Sequence, residues 1–381
     1  MSVMTEHARG TDADGRVMIS LRHVSKMFAG TNRPAVGDLS LEIRRGETVV
    51  LVGPSGCGKT TTMRMINRLI EPTSGTITVD GRDVMQQDPV ELRRGIGYVI
   101  QSIGLLPHRT VAQNVATVPK LVGWDDARIA KRVDELMGIF SLDADMKERY
   151  PAELSGGQRQ RVGVARALAV DPPVMLMDEP FAAVDPIVRA RLQEQFLDIQ
   201  ERLRKTIVFV THDIDEAIKL ADRIAILNVG GVLEQFAPPE EILREPANEF
   251  VKDFVGSERG LKRLALIKVS QIEVEEGPVV APSATADEAK REMERFGFDW
   301  VSVVVEGELL GWVDRPALDG ARTVGEARPR PFSAYVTAHD SLRQALDSIV
   351  TSSTNVAVVV SEGQRYLGIL TLDRLSREIT Q

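Results

Sequence analysis

The chain has 381 residues, enough for two or three domains, and its 43% hydrophobic and 5% aromatic content fits a globular protein. A net charge of -8 lacks the basic footprint of a general nucleic-acid binder, so no nucleic-acid partner is expected. The single cysteine, Cys57, excludes an internal disulfide, and without an apolar run of about 18 residues no membrane span is predicted.

Residues 1–17 are polar, lack the apolar stretch of a signal peptide, and read as a disordered lead-in. From 18 to about 237, apolar runs of strand length alternate with helical patterns, which predicts an α/β fold. Residues 49–52, 96–100, 174–177 and 206–210 read as buried strands. Each ends in polar or glycine-rich sequence, where α/β sheets place their sites. A helical, charged segment over 125–150 belongs to a small helical subdomain at about 102–170. Pro238-Pro239 marks a break, and 238–265 reads as a helical linker.

Residues 266–381 contain an internal repeat. Val301-Ser302-Val303-Val304-Val305-Glu306-Gly307 returns as Val356-Ala357-Val358-Val359-Val360-Ser361-Glu362-Gly363. Each copy continues into a Leu-Gly pair, Leu310-Gly311 and Leu367-Gly368, and follows a helical pattern, 286–296 and 341–348. This spacing predicts a duplicated β-α-β-type unit.

Gly53-Pro54-Ser55-Gly56-Cys57-Gly58-Lys59-Thr60 lies between a predicted strand and a predicted helix over 61–69, the context of a phosphate-binding loop. Glycines let backbone N–H groups point at a phosphate, and the helix N-terminus adds positive partial charge. Lys59 is placed to reach the β- and γ-phosphates, and Thr60 to offer a hydroxyl to Mg2+. The plainer reading is a chance glycine turn, which the Lys-Thr register disfavours. Cys57 is either a redox group or a small residue that fits the loop.

The strand over 174–177 ends in Asp178 and Glu179. Asp178 is the candidate to hold Mg2+ and Glu179 the candidate general base. His212, at the end of the next strand, could contact the γ-phosphate and orient water and base. Gln101, after the 96–100 strand, carries an amide that can approach Mg2+ and withdraw when the following loop moves. Each has a bland alternative as an ordinary polar strand end.

With Leu154-Ser155-Gly156-Gly157-Gln158 and Ala182-Ala183-Val184-Asp185 in the same order and spacing, residues 18–260 resemble an ABC-type ATPase. The resemblance implies a P-loop NTPase fold with a helical subdomain. It also implies a head-to-tail homodimer, with ATP between the loop of one copy, including Thr61, and Ser155, Gly156, Gly157 and Gln158 of the other. The residues agree: a hydroxyl and two glycines precede a helical pattern over 158–169 and suit a γ-phosphate. Phe28 stands where the family has an aromatic against adenine, with a core position as its alternative. Asp185 matches the family although Val184 replaces the usual Leu.

Met65-Ile66-Asn67-Arg68-Leu69-Ile70-Glu71-Pro72, Asp88-Pro89-Val90-Glu91-Leu92-Arg93-Arg94 and Gly104-Leu105-Leu106-Pro107-His108 resemble the ATPase subunits of osmoprotectant importers. That implies import of glycine betaine, carnitine or choline through a separate membrane permease, fed indirectly by an extracytoplasmic binding protein. It also implies a peripheral place on the cytoplasmic face of the membrane. Another amino-acid-type importer and a non-transport ABC ATPase are the alternatives. The repeat over 266–381 resembles an α+β tandem CBS pair. Its ribose-binding pattern is degraded: Asp314 follows Gly311-Trp312-Val313, Ala317 holds an Asp position, and Arg374 replaces Asp after Thr371. With 18 acidic and 12 basic residues, and only a small cluster at Arg328 and Arg330, the tail lacks a general basic face for anionic lipid. Dimerisation and cyclic di-nucleotide binding at the CBS interface stay open.

Overall fold

A computed structural model describes residues 15–101, 104–182, 184–361 and 363–380. Most of the expected lead-in therefore lies outside the described residues, as do Ala183 and the first two residues after Gln101. The chain divides into two compact units, Met1–Val255 and Gly256–Gln381.

In the first unit, β1 (Val17–Lys26), β2 (Val36–Arg44), β4 (Ser74–Val79) and β5 (Arg82–Asp83) form an antiparallel sheet in the order β2-β1-β4-β5. β1 thus begins at Val17, inside the expected lead-in. A second sheet runs β10-β9-β3-β8-β7-β6. It is built from β3 (Thr48–Val52), β6 (Ile96–Val99), β7 (Val174–Asp178), β8 (Thr206–Val210), β9 (Arg223–Asn228) and β10 (Val232–Ala237). All neighbours in it are parallel except β10. β3, β7 and β8 are buried along their whole length because layers cover both faces, which is why they read as unbroken apolar runs. One core joins the two sheets through Ile19, Leu39, Leu51, Met63 and Val208.

The helical segment expected over 125–150 is shorter. The helix Asp126–Ile139 starts at the Asp125 cap and stops before Ser141, whose φ of +48° cannot continue it; a 3₁₀ turn follows at Ala144–Glu148. Pro239 opens the helix Pro239–Arg244 at its first position, where its missing N–H has no partner to lose. Among the described residues no helix is long and apolar enough to cross a membrane.

The second unit begins earlier than the expected 266. The helix Arg259–Leu266 packs there, with Leu264 fully buried beside Leu342 and Leu375. The two repeats share a plan: a helix (Ala286–Phe296, Leu342–Thr351) followed by a strand pair. The pairs are Trp300–Val305 with Glu308–Asp314 and Ala357–Val360 with Tyr366–Leu370. Both helices start in a capping box, Thr285 with Glu288 and Ser341 with Gln344. The repeated Leu-Gly pair has a steric cause. A Cβ on Gly311 would lie 2.3 Å from the Arg330 carbonyl oxygen, and one on Gly368 would lie 2.4 Å from that of Glu275. In each copy a passing segment hydrogen-bonds to the strand at that point, Trp312 N–H to Arg330 and Ile369 N–H to Glu275. A shared core of Trp300, Val356, Val358, Val360 and Ile369 joins the repeats.

Candidate nucleotide site

The parallel strands deliver their C-terminal ends to one edge of the sheet, and four of the expected segments start there. β3 leads into Gly53–Gly58, and the helix Lys59–Ile66 follows, starting two residues before the expected position. Gly53 is required by packing: a Cβ there would lie 2.1 Å from the Leu227 carbonyl oxygen. Gly58, with φ +96°, is the left-handed cap, and a Cβ would lie 2.4 Å from the Ala35 carbonyl oxygen. Gly56 has φ +79° but open space around it, so only its backbone conformation asks for glycine. The N–H groups of Lys59 and Thr60 open the helix and have no intrahelical acceptor. Pro54, Ser55 and Thr61 complete the loop and its helix start.

Lys59 is 7% exposed, and its Nζ donates to the Gly53 and Pro54 carbonyls at 2.7 and 3.1 Å. This pins the ammonium at the loop. Cys57 is fully buried in the core, with its Sγ 3.6 Å from Lys59 Nζ, a packing position out of reach of solvent.

Thr60 Oγ1 donates to Asp178 Oδ1 at 2.9 Å. Burial pushes the Asp178 carboxyl above the usual carboxylate range. The Thr60 bond, Arg64 and Lys59 pull it back, and Glu179 pushes with burial. A hydroxyl and a desolvated carboxylate side by side are hard oxygen donors whose charged form a cation would favour. Mg2+ characteristically takes one or two such protein oxygens plus phosphates, so these residues fit it.

Glu179 sits between Gln101 and His212. Gln101 Nε2 donates to Glu179 Oε2 at 2.9 Å, and His212 Nδ1 lies 3.4 Å from Oε1. The Glu179 backbone has φ +45°, outside the usual range for a non-glycine residue, and is held by its N–H donating to Val210 at 3.0 Å. That turn swings the carboxylate out of β7 towards the neighbouring strand ends. Gln101 and His212 are both exposed, as an accessible site needs.

Ser155 caps the helix Gly156–Ala167, which starts two residues before the expected one. Its Oγ accepts from the Gln158 N–H at 3.3 Å, while Gln158 Oε1 accepts from the Ser155 N–H at 2.8 Å. The cap uses a lone pair of the hydroxyl and leaves its proton to donate elsewhere. Gly156 and Gly157 present the first N–H groups of this helix. Among the described residues no hydrogen bond or ion pair joins Ser155–Gln158 to Gly53–Thr60. Asp185 caps the helix Pro186–Leu203 by accepting from the Ile187 and Val188 N–H groups. Phe28 is 39% exposed with Lys26 Nζ 5.2 Å from its ring centre, so it is a surface aromatic and not the core residue of the alternative reading.

Sequence reasoning missed three supporting groups. Arg166, whose guanidinium is pushed below its ordinary pKa by burial, donates to the Gly104 carbonyl at 2.6 Å. Asn114 is fully buried. It accepts from the Leu106 N–H at 2.8 Å and donates to carbonyls of the 106–110 loop. Glu216 accepts from Gln193 Nε2 at 3.1 Å, and burial raises its carboxyl. A polar residue at a buried helical position was the one signal available for each.

In the second unit the degraded cleft residues are already engaged. Asp314 pairs with Arg330 and accepts from the Ala317 N–H, and Thr371 Oγ1 donates to Glu275 at 2.7 Å. Arg374 bonds to Glu378 and to the Glu273 carbonyl.

Residues 36–182 match the ABC transporter family, and residues 269–318 and 324–381 match the CBS domain. The osmoprotectant import ATP-binding protein OsmV of Salmonella typhimurium is 46% identical, covering 94% of this chain and 95% of that protein. The glycine betaine/carnitine/choline transport ATP-binding protein OpuCA of Bacillus subtilis is 47% identical, covering 93% of this chain and 94% of that one. A dimeric ATP-binding cassette in a post-hydrolysis state, bound to ADP and Pi, superposes with a TM-score of 0.53. It is 32% identical and covers 58% of this chain and 99% of that chain.

Proposed function

The chain belongs to the ABC transporter family of ATPases, and from that premise we propose that it energises import of a quaternary-ammonium osmoprotectant through a separate membrane permease. The observation that carries the ATPase reading is the gathering of Gln101, Glu179 and His212 beside the Thr60–Asp178 pair.

Lys59 turns from the Gly53 and Pro54 carbonyls to the β- and γ-phosphates of ATP. Thr60, Asp178 and Gln101 would hold Mg2+, which would neutralise charge on those phosphates. Glu179 accepts the proton of the attacking water, and His212 holds Glu179 and the γ-phosphate in line. Phe28 stacks on the adenine, and Asp185 lies near the meeting of the two copies. Ser155, Gly156, Gly157 and Gln158 of a second chain close over the γ-phosphate, the helix start and the free hydroxyl proton supplying the attraction. Two chains thus form two sites. Arg166 ties the helix behind Ser155 to the loop after Gln101, so closure reaches the face offered to the permease.

The chain acts at the cytoplasmic face of the membrane, with the extracytoplasmic binding protein engaging it only through the permease. The tail joins copies or takes a cyclic di-nucleotide. The engaged state of Asp314 and Thr371 argues against the ordinary nucleotide clefts.

Purification of the full chain from its own membranes tests the transport reading. A permease should come with it, and ATP turnover should rise with binding protein loaded with glycine betaine. Recovery of ribosomes without a permease would overturn it, and stimulation only by an amino-acid-loaded binding protein would reassign the solute.

A further inference from the structure

His212 stands on a turn whose two flanks are held differently. Upstream, Thr211 is buried and its N–H donates to the Leu51 carbonyl of the sheet at 3.2 Å. The His212 side chain is 61% exposed, and its 3.4 Å to Glu179 is longer than a firm hydrogen bond, so the ring's place depends on the turn beneath it. Downstream, Asp213 divides its carboxylate. Oδ1 accepts from the Asp215 and Glu216 N–H groups at 2.9 and 3.2 Å and starts the helix Ile214–Leu220. Oδ2 faces Arg189, whose Nη1 lies 3.9 Å away. Arg189 Nη2 in turn donates to the Val184 carbonyl at 3.2 Å, just before the Asp185 cap.

The contacts of this arginine are incomplete. Its Nε is buried without a hydrogen-bond partner among the described residues, and the 3.9 Å to Asp213 exceeds a charge-assisted bond of about 2.7–2.9 Å by roughly 1 Å. Glu216, the other carboxylate beside it, is already bonded to Gln193 and Thr211. We propose that Arg189 is a positioning residue for ATP hydrolysis. Anchored on the Val184 carbonyl, it pairs with Asp213 Oδ2 as the site closes, and so fixes the turn that presents His212 to Glu179 and the γ-phosphate. The inference rests on the role given to His212 above. A guanidinium suits the task, because one planar fork reaches a carbonyl and a carboxylate at once. The two side chains are 32% and 38% exposed, so the pair adds little to stability and its effect belongs to turnover.

Steady-state ATP turnover of the full chain tests it, with Arg189→Met, Asp213→Asn, their double variant and His212→Ala. Asp213→Asn keeps an oxygen for the helix cap and turns an amide to Arg189. Each of the first two should lower kcat about tenfold, with the KM for ATP within about twofold and Tm within about 3 °C. The double variant should also be down about tenfold and not about a hundredfold, because both changes remove one contact. His212→Ala should be slower still, and Arg189→Met added to it should cost less than about twofold, since Arg189 acts through His212. Should Arg189→Met fail to fold, Arg189→Gln, which can still donate to Val184, asks the same question. Unchanged kcat in Arg189→Met, a loss carried by KM, additive losses in the double variant, or a full further loss on His212→Ala would each overturn the proposal. Undiminished turnover in His212→Ala would overturn the reading of His212 as well, a result distinct from an inert Arg189→Met beside a crippled His212→Ala.

Discussion

Gln193 Nε2 donates to Glu216 Oε1 at 3.1 Å, fastening the helix capped by Asp185 to the helix that begins just after His212. The two elements carry different parts of the site, and this buried contact keeps them at a fixed distance. Burial, the main cause, raises the Glu216 carboxyl, with the Thr211 and Gln193 bonds pulling it down. A raised carboxyl holds its proton more tightly in the fold than when unfolded. Its contribution to stability is therefore present at low pH and lost as pH rises through the folded value. Glu216→Gln keeps an acceptor for Gln193 and removes the desolvated charge. It should raise Tm by about 2 °C at pH 8 and less at pH 5. An equal shift at both pH values in thermal melts would contradict the assignment.

Glu179→Gln keeps the size of the side chain and its bond to Gln101 through the amide oxygen, but it cannot take a proton. ATP turnover should fall at least about 100-fold with nucleotide binding retained. With ATP the variant should run as a dimer in light scattering. Turnover near wild type would remove Glu179 as the base.

Composite sites can be tested by mixing. Lys59→Ala should disable the loop of its own chain, and Ser155→Arg the helix start it offers to another. Each variant alone should be inactive. Mixed in equal amounts, half the pairs carry one intact site, so roughly a quarter of wild-type turnover should return. No recovery after subunit exchange would show that Ser155 does not complete a partner's site.

The glycines of the loop should differ sharply. Gly53→Ala drives a Cβ to 2.1 Å from the Leu227 carbonyl oxygen, with no flexible side chain to yield. It should cost roughly 3 kcal/mol and abolish ATP binding. Gly56→Ala meets open space and only the left-handed φ, so about 1 kcal/mol is expected in denaturant unfolding.

Asn114→Leu removes the donor and acceptor that organise the loop over 106–110. Stability should fall by about 3 kcal/mol, and amide exchange should quicken from Leu106 to Thr110 before any other part of the unit. Uniform quickening would mean that Asn114 serves the fold alone.

The sequence made the contiguous parts visible. A phosphate loop, a strand ending in Asp178-Glu179 and a helix start at Ser155-Gly156-Gly157 each carry their geometry within a few residues. So do the capping boxes Thr285–Glu288 and Ser341–Gln344, which set the repeat helices. Helix limits were less legible, because the helix over 126–139 ends on a backbone turn at Ser141 that leaves little trace in hydrophobic pattern. Arg166 with Gly104, 62 positions apart, and Gln193 with Glu216 were not visible at all. Such pairs exist only once the sheet has set distant segments side by side. Phe28 was ambiguous for a related reason: an aromatic side chain does not say from its letters whether it faces inward.

Cys57 has a practical consequence. The chain's one thiol is sealed beneath its phosphate loop, so a thiol reagent can reach it only when that loop opens. The rate of alkylation is then a clock for opening of the loop, and nucleotide should slow it. The same burial keeps oxidants from the thiol for as long as the loop stays closed.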